Sequence, residues 1–235
     1  LVFGLWINPR PAALFPAVAC AKIKLSQRRM STNSDSFQNL PADLQGVLRD
    51  LDRADEEASQ LVNSLSDQQF NWQPDSGRGW SVGQCLDHLA QTNALYTAAL
   101  SQAAGKFTPA QRPRKDLIKP GWLGRWFIGE LEPPPKRKLK AQKKVMPSLH
   151  LNGGTVLKAF IAAHDQTRRL VQQSRDLDLN RIRFRNPFLR LLPWTIGTGL
   201  LVIGAHDRRH LWQARQVLAA MERALDGGGV QRTAS

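Results

Sequence analysis

From Pro41 onward the apolar positions recur at three- and four-residue steps and do not alternate. Leu44, Val47, Leu48, Leu51, Ala54, Ala58, Leu61, Val62 and Leu65 fall on one face of a 3.6-residue period. This predicts a first helix of about seven turns. A break, QPDSGRGWS, closes with Ser81 as an N-cap, and Val82, Cys85, Leu86, Leu89, Asn93, Tyr96 and Leu100 form a second stripe, predicting a helix from about Ser81 to Ala103. Gly153-Gly154-Thr155 opens a third, carried by Val156, Leu157, Phe160, Ile161, Thr167, Leu170 and Val171 and ending near the turn DLDLN. After Pro193 a fourth runs through Ile196, Leu200, Ile203, Val217, Leu218, Met221 and Leu225. Arg181 to Arg185 could be read as a short extended piece, and we read it as a loop into helix four. The expected class is all-α, a four-helix bundle, a fold that places metal and ligand sites in its core.

Residues 104–152 break this pattern. They hold twelve Lys or Arg against Asp116, Glu130 and Glu132, together with seven prolines. They read as a long basic, Pro-rich insertion between helices two and three, of a length that is often functional. Within it an aromatic turn, KPGWLGRWFIG, precedes the charge run KRKLKAQKK. Aromatics capping one bundle end above solvated lysines, an anionic-substrate lid, a membrane-surface patch and nucleic-acid contact are the open readings. No recognised reading motif accompanies the charge, so specific nucleic-acid binding is not expected.

Charge and length sharpen the organisation. The 235 residues suit one substantial domain, and the net charge of +14 is unevenly distributed. Residues 1–29 hold five basic residues and no acid, begin with Leu, contain Pro9, Pro11 and Pro16, and are followed by Met30. We expect translation to start at Met30, with residues 1–40 an extension, 41–226 the bundle and 227–235 a disordered tail. A secretory signal around Ala17-Val18-Ala19-Cys20 competes, although no positive region precedes the apolar part. With Met30 as the start, Cys85 is the lone cysteine, which excludes an intramolecular disulfide and points to the cytoplasm. No apolar run is long enough to span a bilayer.

Candidate chemistry lies in five histidines. His206 and His210 share a stripe with Ile203, Gln213, Val217 and Met221, so both imidazoles face inward on successive turns, where i and i+4 neighbours can meet one ion. His88, near the apolar stripe of helix two, is the third candidate. Three neutral imidazoles would leave coordination positions open, as catalytic sites do. His164, inward on helix three with Phe160 and Val171, is a candidate fourth ligand, a substrate-facing acid or base, or a hydrogen-bonded core histidine. Asp207 stands at the second position of the HDRRH run, but its helix phase and short side chain argue against the glutamate role of zinc proteases. Orienting a ligand or pairing with an arginine fits Asp207, Asp87 and Asp165 better. Cys85, Trp80 and Trp212 read as packed core residues, and His150 has no assignable role.

Trp80-Ser81-Val82-Gly83-Gln84-Cys85-Leu86-Asp87-His88-Leu89 resembles the Trp-Ser-x6-His-Leu opening of helix two in the DinB-like (DNA-damage-inducible) metal-binding bundles, and His206-Asp-Arg-Arg-His210 resembles their His-x3-His motif. The similarity spans about Leu44 to Leu225, including Asn186-Pro187-Phe188 and the HLWQA run. It implies an up-down-down-up bundle, often a homodimer, with a divalent ion on His88, His206 and His210. Zinc or nickel leads among the ions, and iron or manganese is compatible. Some relatives are thiol-dependent transferases or isomerases using glutathione, mycothiol or bacillithiol. The resulting expectation is a metal-dependent enzyme, a thiol S-transferase or a hydrolase, that activates a low-molecular-weight thiol or water for a small-molecule substrate, with His164 moving a proton. Two other classes remain open: a non-catalytic module docking on anionic membrane or protein through the basic segment, and a bundle whose metal only ties helices together.

Overall fold

The structure is a computed structural model that describes residues 39–137, 140–189 and 194–230. The expected start at Met30 and residues 231–235 lie outside these. Four long helices form a bundle: α1 (Ala42–Ser64), α2 (Val82–Ala104), α4 (Gly153–Gln173) and α5 (Ile196–Val230), with a shorter α3 (Trp122–Leu131) on its flank. Single helical turns at Asp67–Phe70 and Pro74–Gly77 lead from α1 to α2. No strand occurs among the described residues; Arg183 and Thr195 form only an isolated bridge that leads the chain into α5.

The ends of the helices follow their local chemistry. Ser81 does cap α2, and the cap is reciprocal: its Oγ accepts the Gln84 amide while Gln84 Oε1 accepts the Ser81 amide. Asn152 caps α4 by accepting the Thr155 amide at 3.0 Å. At the far end α5 continues through Gly227 to Val230, past the point where the glycine run predicts a tail.

Contacts between facing side chains give the helix directions. Asn93 meets His164 and Thr97 meets Thr167, so α2 and α4 run the same way. Asp50 meets Arg208 and Glu57 meets Arg215, so α1 and α5 also run together. His88 faces His206 and His210 while Leu100 lies against Gly199, which sets α2 antiparallel to α5. The topology is therefore up-down-down-up. Ala58, Phe70, Cys85, Leu86, Leu89, Phe160, Leu211 and Ala214 form the core on one side of the histidines. Each fully buried large side chain there contributes on the order of 1.5–3 kcal/mol by leaving water.

The 104–152 segment is more ordered than the expected insertion. Its aromatic stretch is the helix α3, which approaches α5 closely because Gly124 has no side chain: a Cβ there would stand 2.8 Å from Thr198 Cγ2. Phe127 packs edge-on against Trp194, whereas Trp122 and Trp126 face outward. Beyond α3 the chain is pinned to α5. Arg208 pairs with Glu132, and the buried Arg209 donates to the carbonyls of Glu130 and Arg137 at 2.9 and 2.7 Å. It then crosses towards α2 through a 3-10 turn, Lys143–Val145, and Asp87 receives the Ser148 amide at 3.0 Å.

Candidate metal centre

Helix phase brings His88 of α2 against His206 and His210 of α5. One nitrogen from each of the three lies within 4.8 Å of the others, and the ring centroids are 4.6–5.3 Å apart. Two rings are oriented from behind. His88 Nδ1 donates to the Val145 carbonyl at 2.8 Å, and His210 Nδ1 donates to Gln213 Oε1 at 3.0 Å. Each bond fixes the tautomer and leaves Nε2 as the free donor, the arrangement usual behind metal-bound histidines. Trp80, half-buried and packed against the core as expected, also stacks on His210 at 5.7 Å and tilts against His88 at 5.0 Å.

Electrostatics keeps all three rings neutral. Burial depresses His206 to about 3, with His88 and Arg209 adding to the effect. Burial likewise places His210 well below its ordinary value, reinforced by His206, His88 and Arg209. In His88 burial again lowers the value, against the Val145 carbonyl and Asp87. Neutral imidazole is the form that binds a metal. The donor set fits a borderline divalent cation, and no carboxylate or thiol joins it among the described residues. Cys85, one turn before His88, is buried in the apolar core with its thiol pushed up by desolvation, as a packed cysteine should be.

The three histidines open onto a cavity of about 820 Å³. Tyr96, Phe127, Leu131, Phe188, Val202 and Ile203 make one side apolar. The strap from Pro135 to Val145 covers another, contributing Lys136, Arg137 and Lys140.

His164 lies elsewhere. It is fully buried and outside the cavity lining, with Nδ1 2.7 Å from Asp55 Oδ1 and Nε2 3.2 Å from Asp207 Oδ2. Asn93 donates to Asp207 Oδ1 at 2.8 Å. One side chain from each long helix thus meets at a single level. Burial alone would depress His164, but the carboxylates of Asp207 and Asp55 outweigh it and hold the ring at about 9, as an imidazolium. Asp207 therefore pairs with a histidine instead of an arginine, Asp165 pairs with Arg168 at 3.2 Å, and Asp87 anchors the strap. His150 is exposed.

Sequence reasoning left Asp55 unassigned because it reads as one acid among several on α1. Gln213 lay on the predicted stripe with no assigned partner. Val145 acts only through its carbonyl, which no side-chain pattern can reveal.

Residues 50–214 match the family model of the DinB superfamily, and the chain belongs to that family. Among curated proteins it is similar to the uncharacterized protein YuaE of Bacillus subtilis (strain 168), with 25% identity over 171 residues that cover 69% of this chain and 91% of YuaE. No solved structure matches. Among the described residues no helix is long and apolar enough to cross a membrane.

Proposed function

We propose that the protein is a metal-dependent enzyme that holds a divalent ion, zinc or nickel ahead of iron or manganese, on His88, His206 and His210. One observation carries this reading: three neutral imidazoles, His88 and His210 buried and His206 half-buried, converge from two helices at the wall of a cavity large enough for a small molecule. When bound, the ion would supply Lewis acidity, lowering the pKa of a water or a low-molecular-weight thiol.

The chain's own groups divide the remaining work. Val145 and Gln213 aim two of the ligands, and Trp80 screens them from solvent. The strap's cations draw in the carboxylates that cellular thiols carry. His164 acts as a positioning residue: through Asp207 it holds the α5 turn that bears both His206 and His210. The reaction class that follows is S-transfer from a small thiol to an electrophile, with homodimerisation as the assembly state the resemblance implies.

Elemental mass spectrometry on untagged protein, beside His206→Ala and His210→Ala, tests the reading. Near one equivalent of metal, absent from both variants, together with thiol conjugation of an activated aryl halide that requires the metal, is the expected result. Folded wild-type protein that takes up no metal on reconstitution refutes it, and metal without turnover for any thiol or ester removes the enzymatic part.

A further inference from the structure

The cavity's lining is lopsided in charge. Arg78, Lys136, Arg137, Lys140 and Arg209 line it among the described residues, and no aspartate or glutamate does. The nearby acids are engaged outside it: Glu130 with Arg137 at 2.8 Å and Glu132 with Arg208. Arg209 gives its hydrogen bonds to backbone carbonyls, so that cation is bonded without a carboxylate partner. Lys136, Lys140 and Arg78 are exposed at the rim.

A second observation is independent of charge. Thr92, one turn beyond His88 on the cavity wall, is nine-tenths buried, and its Oγ1 has no hydrogen-bond partner. A buried hydroxyl without a partner is costly, and a change of the Thr92 rotamer would turn this one from the packed wall to a group inside the cavity. Beyond Thr92, at the level of Tyr96 on α2 and of Val202 and Ile203 on α5, the wall turns apolar.

We infer that the cavity binds an organic anion with an apolar body. Its acid group lies between the strap's lysines and the Thr92 hydroxyl, and its body rests against Leu131, Val202 and Ile203. Arg209 on the wall and Arg78, Lys136 and Lys140 at the rim select a carboxylate, sulfonate or phosphate head, and the apolar wall favours an organic body over a wholly polar anion. The inference rests on the proposed function for its place as a substrate, and anion binding itself is read without metal.

Calorimetry on the chelator-treated full-length protein tests it, with 4-phenylbutyrate, its neutral amide and glutathione as probes. The acid should bind at least tenfold more tightly than the amide and more tightly than glutathione. Lys136→Glu/Lys140→Glu, at exposed positions, should bring the acid down to the amide's level, and Thr92→Val should weaken the acid several-fold. Equal affinity for acid and amide, indifference to the lysine reversals, an unchanged Thr92→Val or binding of glutathione alone overturns it. The measurement runs in metal-free protein, so failure to find a metal leaves it standing, and failure here leaves the metal reading intact.

Discussion

Titrating His164 should destabilise the protein above neutral pH. Its imidazolium is held at about 9 in the folded chain against 6.5 ordinarily. The folded state therefore keeps a proton that the unfolded chain gives up, and stability falls as pH rises. The contribution is fully present below pH 6.5 and is lost as pH passes through 9. At 1.36 kcal/mol per pH unit the difference is worth roughly 3 kcal/mol, with no discount for exposure because the ring is fully buried. In the window from about 7.5 to 8.5 His164 dominates: below it the depressed His88, His206 and His210 raise stability as the unfolded chain releases their protons, and above it Cys85 and then Tyr96, both raised in the folded state, add to the loss as they ionise in the unfolded chain. Urea unfolding of metal-free protein across that interval should show the loss, and Asp55→Asn should reduce it. The His164 ring proton followed by NMR should titrate near 9. Stability that is flat from about 7.5 to 8.5, or a ring that titrates near 6.5, refutes the ion-paired core.

Three further outcomes follow from particular contacts. Gln213→Ala removes the acceptor behind His210 and should weaken metal affinity by roughly 10–100-fold in calorimetric titration, with the fold unchanged by circular dichroism. Gly83→Ala would place a Cβ 2.6 Å from Phe70 Cε1; after the better helix propensity of alanine is counted it should cost about 1–2 kcal/mol, read as a lower urea midpoint. Arg209→Gln releases the carbonyls of Glu130 and Arg137, and trypsin should then cut between Lys136 and Lys144 faster than in the wild type; equal rates would show that other contacts hold the strap.

The long helices were legible because burial on one face imposes a period that Leu44 to Leu65 and Val82 to Leu100 display openly. The histidine trio was legible for the same reason: helix phase puts His206 and His210 on one face and sets His88 beside the apolar stripe of helix two, and the resemblance pointed to the same three. Partners that depend on packing between helices were not legible. Asp55 and His164 meet across 109 positions of sequence, and neither has a neighbour that announces the other. Helix α3 was read as a turn because three glycines lie close together in Gly121 to Gly129. Gly124 instead serves the close approach to Thr198.

The parallel course of α2 and α4 has a topological consequence. Two antiparallel helices can be joined by a turn, but two that run the same way cannot: the chain leaving Ala104 must travel back the length of the bundle before Gly153 can begin. A 23-residue helix is about 34 Å long, which a taut chain would span with about ten residues. Residues 105–152 are therefore a crossover that this connectivity requires, and their surplus length lets them detour over the histidines. Return path and roof are separable properties of one segment. Shortening it towards the taut span would preserve the handedness of the bundle and uncover the metal centre, whereas excising it would leave two helices that no turn can connect.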